Sequence, residues 1–404
     1  MTTQARYAFE DRLAEWSRRR ESDPVYLDEQ TGTWRLLDYA TVARVLSDPV
    51  QFSSDFSGLT PVQEDFELFR SGMFVGMDPP NHRKLRTLVS QAFTPRTVAG
   101  LEPRIRAITR DLLEVVSGAP RIDLVGSLAY PLPILVISEL LGIPASDREL
   151  FEQWARVLFG GNELPESPTM AEMEAALARI TPTIREMNEY VIAHIRYHRT
   201  HPGDSLTSKL VVAEVDGERL ADQEIVGFVA LLMVAGHVTT TALVGNAAVC
   251  FDRHPEAAAA LRADPSRLPV ALEEVLRCLP PFNELGRRTA TEVTLGGKTI
   301  PANSIVTSNL SSANRDLTQF ADPDTFDFSR WPNPHLTFGH GIHFCIGAPL
   351  ARLEGRIAFE ELFSHYREMA VAHDEPVEFQ NPAVIISVKK LTMSVRQESV
   401  ELPL

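Results

Sequence analysis

Apolar residues recur at three- and four-residue spacing through most of the chain, and that spacing predicts helices. The segment TPRTVAGLEPRIRAITRDLLEVVSG (94–118) reads as one helix, and PLPILVISELLGIP (131–144) as another, closed by Gly142 and Pro144. Residues 164–200 read as a linker followed by one or two amphipathic helices. APLARLEGRIAFEELF (348–363) is a further strong helix. Alternation of period two is confined to short stretches near both ends. TWRLLDYATVARVLSD (33–48) reads as a strand and then a short helix, and VTLGGKTIP (293–301) as a hairpin around Gly296 and Gly297. The regular strand–helix alternation of a doubly wound sheet is missing, so the pattern predicts a mainly α protein with small β-sheets.

One stretch changes the picture. From Ile225 to Phe251 there is no Asp, Glu, Lys or Arg. Its length would cross a bilayer. Gly236, His237, Thr239, Thr240, Thr241 and Asn246 interrupt it, and its flanks show no basic asymmetry. The expectation is therefore a fully buried central helix and no membrane. At ~1.5 Å per residue it would cross most of a domain of this size.

Composition then narrows the classes. The chain has 404 residues, 44% hydrophobic and 23% charged, as an ordinary globular protein has. A net charge of -15 argues against a nucleic-acid partner, whose phosphates need a basic face. The start MTTQARYAFEDRLAEW has no basic leader before an apolar core, so no signal peptide is expected. Three scattered cysteines, Cys250, Cys278 and Cys345, make no disulfide framework and suit a reducing cytoplasm. No CxxC or HExxH offers zinc, and no Gly-rich loop follows a clear strand as a nucleotide site requires.

The candidate chemistry lies in FGHGIHFCIG, Phe338 to Gly347. A thiolate ligand must be deprotonated, shielded and supplied with N–H donors that tune the sulfur. Gly339, Gly341 and Gly347 let the backbone turn tightly against a flat cofactor. Cys345 precedes a helix whose N-terminal dipole favours an anionic sulfur. His343 can aim a donor at a nearby anion. The bland alternative is a buried structural cysteine, which the dense F-G-x-G-x-H-x-C-x-G spacing disfavours.

This loop closely resembles the haem-binding loop of the cytochrome P450 family, and the resemblance extends over nearly the whole chain. Glu274 and Arg277 in EEVLR stand at E-x-x-R spacing, which sets an ion pair on one helix face. AGHVTTT (235–241) resembles the oxygen-activating motif of the family's long helix over the haem. MDPPNHRKLRTLVSQAFTPR (77–96) resembles its H-x-x-x-R segment, and ANRDLTQFADPDTFDFSR (313–330) its meander.

The resemblance implies one cytochrome P450 domain over 1–404, with haem b as cofactor and Cys345 as the iron's axial thiolate. Phe338, Gly339 and Gly347 would frame that loop. His82, Arg86 and His343 would bind the haem propionates by charge-assisted hydrogen bonds. Arg287, fourteen residues before Pro301, would add a further propionate arginine, with Arg288 taking its place if the strand register slips by one. Thr239 would hold a proton-delivering water, and small Ala235 and Gly236 would let the helix kink and leave room for dioxygen.

Two departures from the family pattern stand out. Val238 occupies the usual acid position and cannot relay a proton, which leaves His237, a water chain or a substrate hydroxyl. Thr325 stands where the meander usually has an arginine, with Arg330 as its substitute.

Residues 53–74 resemble the variable loop over the haem, residues 158–170 fall where the lid helices begin, and Phe282, Asn283 and Leu285 are placed toward the substrate. The activity implied is insertion of one oxygen atom from O2 into a bulky natural product. Hydroxylation or epoxidation of a macrolide polyketide fits best, since the resemblance is nearest to such tailoring members. Ferredoxin and ferredoxin reductase would supply electrons, with Arg83, Lys84 and Arg352 as a docking face. Two alternatives stay open: a haem-thiolate enzyme that uses peroxide or couples and rearranges a peptide or other natural product, and a non-catalytic haem-binding protein.

Overall fold

The computed structural model describes residues 8–57, 68, 71–159, 170–215, 217–380 and 385–397. Its organising element is the helix Asp222–Arg253, in which Ile225–Leu232 and Thr240–Phe251 are buried. The charge-free run is buried on both sides of a short open stretch around Ala235, because the rest of it meets protein. It packs against the helices Pro131–Leu141, Met170–Thr200, Leu268–Cys278 and Ala348–His365. The helix is long and apolar enough to span a membrane, yet 72% of its most apolar window is covered within the fold. It starts where Glu224 accepts the backbone N–H of Ala221 at 2.7 Å, which satisfies one orphan donor of the first turn.

The strand-then-helix reading near the start holds as Thr33–Leu36 and Tyr39–Ser47, the latter capped by Asp38, which accepts from Thr41 N at 2.8 Å. Thr33–Leu36 joins a five-stranded sheet of order Val25–Asp28, Thr33–Leu36, Ile305–Asn309, Glu284–Thr289, Phe52–Ser53. The hairpin 293–301 forms as Val293–Leu295 paired with Lys298–Ile300. A small apolar core centred on Leu36, Val42, Phe52, Ile300 and Val306 lies under this sheet, apart from the large helical core.

One boundary differs from the sequence reading. The single helix expected over 94–118 is two, Pro95–Ala99 and Glu102–Val115. Pro103 lacks an N–H, so it is accommodated in the first turn of a new helix and not inside an old one. Of the one or two helices expected over 164–200, Met170–Thr200 forms one, which continues through Pro182. Residues 160–169 of the expected lid region, and 58–67, 69 and 70 of the variable loop, lie outside the described residues.

Candidate active site

The cysteine loop is built by backbone. Cys345 N donates to Phe338 O at 2.8 Å, which folds the loop back on itself. Gly341 has φ +69°, and a Cβ there would stand 2.9 Å from Leu46 O and Ser47 Cα, so only glycine lets the loop abut the end of the helix Tyr39–Ser47. Gly339 also has a positive φ of +73°. A Cβ on Gly347 would be 3.8 Å from Cys345 Sγ, an ordinary contact. Phe338 carries the Arg352 guanidinium over its ring at 4.5 Å.

Burial pushes the Cys345 thiol up. The Gly347 and Ala348 N–H groups, with the charges of Arg86 and Arg352, pull it back. Burial wins, so the thiol stays above its ordinary value, while the sulfur sits at the start of the helix Ala348–His365, where the Gly347 and Ala348 N–H groups favour its anionic form.

Four predicted residues converge beside it. The His82 and His343 rings lie 4.2 Å apart, and Ser54 Oγ is 3.1 Å from His343 Nε2. His343 is held down to about 3, by burial and then by His82, Arg287 and Arg86. Both histidines are thus neutral donors set among arginines. Arg86 Nη2 donates to Phe344 O at 2.5 Å. Arg287 is buried, whereas Arg288 turns outward to Asp55 O and Asn303 Oδ1 at 3.2 and 2.6 Å. The strand register therefore turns Arg287, and not Arg288, inward. The buried nitrogens His82 Nε2 and His343 Nδ1 have no hydrogen-bond partner among the described residues. A soft sulfur donor flanked by N–H groups, beside orphaned donors and arginines that call for carboxylates, fits a haem with its two propionates. A groove of about 710 Å³ runs along this edge, lined by His82, Arg83, Arg86, Thr87, Gly341 and Ile342.

On the central helix, Ala235 and Thr239 share one face, four residues apart. The Thr239 hydroxyl donates back to Ala235 O at 2.5 Å, and the helix runs on without a break. Gly236 also serves packing, since a Cβ there would meet Ile137 Cδ1 at 2.8 Å.

The structure does not bring His237 to Thr239. Two residues apart on a helix, they point to nearly opposite sides. His237 Nε2 lies 3.2 Å from Tyr130 O with its ring edge-on to Tyr130 at 4.4 Å, and burial pushes it down to about 4. Asn283 is also placed differently from expectation: fully buried, it accepts from the Ser311 hydroxyl. Phe282 is largely exposed and bridges to Ile385.

The E-x-x-R pair forms a bidentate contact, with both Glu274 oxygens 2.8 Å from Arg277 and both side chains wholly buried. Arg330 does reach it, its Nε 3.2 Å from each Glu274 oxygen. Asn333 Nδ2 and Asp327 N complete the carboxylate's shell at 2.9 Å each. Of the expected docking residues, Lys84 is paired with Glu218 at 2.9 Å and Arg352 with both oxygens of Glu273 at 2.7 Å. Arg83 stays exposed. Ser54 and Phe74 were not singled out in the sequence, because nothing local marks which loop residue touches a distant histidine.

A cysteine loop under a long helix, with donors suited to two carboxylates, fits the haem-thiolate class, and the comparisons with known proteins agree with it. The Cytochrome P450 family profile matches residues 164–395. Cyclomarin C epoxidase CymV of Salinispora arenicola is 41% identical over 387 residues, covering 95% of this chain and 96% of that protein. Erythromycin C-12 hydroxylase of Saccharopolyspora erythraea is 42% identical, covering 91% and 90%. The crystal structure of HmtT, involved in himastatin biosynthesis, superposes with a TM-score of 0.87 at 44% identity and covers 94% and 96%. The chain belongs to the cytochrome P450 family and is a haem-dependent monooxygenase.

Proposed function

We propose that this monooxygenase hydroxylates or epoxidises a bulky natural product, a macrolide polyketide foremost, during secondary-metabolite biosynthesis in the cytoplasm. The observation that carries the substrate class is similarity over about nine-tenths of the chain to an epoxidase and a hydroxylase whose names specify cyclomarin C and erythromycin.

Cys345 is the residue that would hold the iron, with Phe338, Gly339 and Gly347 shaping its loop. His82, Arg86, Arg287 and His343 would hold the propionates. When bound, haem b supplies activation of O2, inserting one oxygen atom into a C–H or C=C bond while two electrons and two protons carry the other to water. Gly347 N–H and Ala348 N–H stabilise the anionic sulfur. Ala235 leaves space on the reacting face of the helix. Thr239 rotates its hydroxyl from Ala235 O to a water at the same face and so positions a proton donor. Val238 contributes no proton, and His237 is occupied at Tyr130, so protons reach Thr239 through water or through a substrate hydroxyl. Electrons come from a ferredoxin and its reductase. Arg83 is the basic contact for that partner, since Lys84 and Arg352 are already paired.

The test is absorbance of the purified holoprotein, reduced and exposed to carbon monoxide, followed by turnover with reduced ferredoxin and macrolide or cyclic-peptide substrates. A strongly red-shifted band lost in Cys345→Ala, and a product heavier by one oxygen atom, are the expected results. A histidine-type band overturns the ligand assignment. Val238 favours a second reading, turnover on peroxide without ferredoxin, and equal product from peroxide alone would replace the first.

A further inference from the structure

Gly72, in the short loop 71–76, lies directly against the backbone of the central helix. A Cβ built on it would lie 2.0 Å from Glu224 O, 2.4 Å from Phe228 N and 2.8 Å from Gly227 C. Those are atoms of the central helix's own backbone, and Glu224 O and Phe228 N stand in the i to i+4 relation of a helical hydrogen bond. None of them can swing aside as a side chain would.

Two residues on, Phe74 is buried between three groups. Its ring stacks on Phe228 at 6.1 Å and meets His82 edge-on at 5.9 Å, with the Arg86 guanidinium 5.9 Å above it. Phe74 N donates to Gly72 O at 2.9 Å, so seat and wedge move as one short unit. The unit thus touches the central helix at one end and the propionate-side donors at the other.

We propose that Gly72 is a positioning residue: its bare backbone seats the short loop 71–76 on the central helix, and Phe74 passes that position to His82 and Arg86. The seat of this short loop and the hold on the cofactor are then set together. A substrate that lifts the loop 71–76 loosens His82, and one that leaves it seated does not. The inference rests on the assignment of His82 and Arg86 as propionate anchors.

Gly72→Ala must lift the loop by about 1 Å, because real Cβ contacts below about 3 Å to backbone atoms do not occur. Two readouts on the holoprotein test it: the ratio of 4-phenylimidazole to imidazole dissociation constants, read by the absorbance shift of the haem, and the rate of haem transfer to apomyoglobin. In Gly72→Ala the bulky probe gains at least fivefold over the small one, and transfer speeds up at least threefold. Gly76→Ala is the control, since its Cβ meets only Ser54 O at 4.0 Å, and both readouts stay within twofold of the parent. Gly72→Ala within twofold on both overturns the proposal. If that variant yields no folded holoprotein, Phe74→Leu decides: threefold faster haem transfer supports the wedge, and a parental rate overturns it. His82→Ala and Arg86→Ala separate the two levels. If neither speeds haem transfer, the anchor assignment fails; if they do and Gly72→Ala does not, only the seating role fails.

Discussion

Arg330 is the clearest place to test whether the buried network tolerates a change of donor. Glu274 is fully buried and accepts from Arg277, Arg330, Asn333 Nδ2 and Asp327 N. Burial raises this carboxyl, and the Arg277 contacts lead the opposing groups that hold it net below its ordinary range. Arg330→Met keeps the stem but removes the contacts to Glu274 and the 2.8 Å bond to Ala321 O. Hydrogen bonds to charged groups contribute about 1.5–3 kcal/mol each, and Arg277 still neutralises the carboxylate, so the cost is about 3 kcal/mol. Arg277→Met leaves the carboxylate with Arg330 as its one cation, at 3.2 Å, and strands Asn314 O and Pro323 O, which puts it at about 3–5 kcal/mol or beyond folding. For a chain of 404 residues, about 3 kcal/mol lowers the midpoint by roughly 3–4 °C. The assay is loss of haem absorbance on heating at one fixed scan rate, with the double variant closing a mutant cycle. Coupling of at least about 1 kcal/mol between the two arginines is expected. An Arg330→Met midpoint within about half a degree of the parent would refute the reasoning and return Arg330 to an ordinary surface arginine.

Other outcomes follow from single groups. Burial holds the Glu354 carboxyl up at about 8, with no hydrogen-bond partner for Oε2 among the described residues. A raised carboxyl contributes stability below its ordinary pKa of 4.5 that is lost as pH rises through about 8. Glu354→Gln should therefore flatten the midpoint between pH 5 and 8, gaining up to about 4 kcal/mol at the alkaline end, and an unchanged slope would count against it. Glu273 is raised by burial, but Arg352 and His335 outweigh that and hold it at about 2; its stabilisation is present above its ordinary pKa of 4.5 and disappears as pH falls toward 2. Arg352→Ala should move acid-induced haem release upward by about one pH unit, read by stopped-flow absorbance. His237→Phe should leave product formation with ferredoxin within twofold, whereas Thr239→Ala should divert most electrons to peroxide; a tenfold loss of product in His237→Phe would restore it to the proton path.

The parts readable from sequence are those that a single segment determines. The central helix is visible because an uncharged run can be stable in water only if it is covered, and its threonines and Asn246 identify protein as the cover. The cysteine loop is readable because sulfur, glycines and a following helix all serve one ligand within ten residues. Pairs across elements needed geometry. Whether Arg287 or Arg288 faces inward depends on a one-residue register that Val306 fixes from the neighbouring strand. His237 and Thr239 sit two positions apart, and only the placement of Tyr130 shows that the helix turns one of them away from the reacting face. Gly72 illustrates the limit most sharply. In sequence it is one glycine in a loop, and its consequence arises because Glu224 O and Phe228 N, more than 150 residues later, pass within van der Waals reach. A residue whose role is to have no side chain is recognised only from what would occupy the same space. That is why the loop's seat on the helix, unlike the thiolate itself, had to be found in the fold.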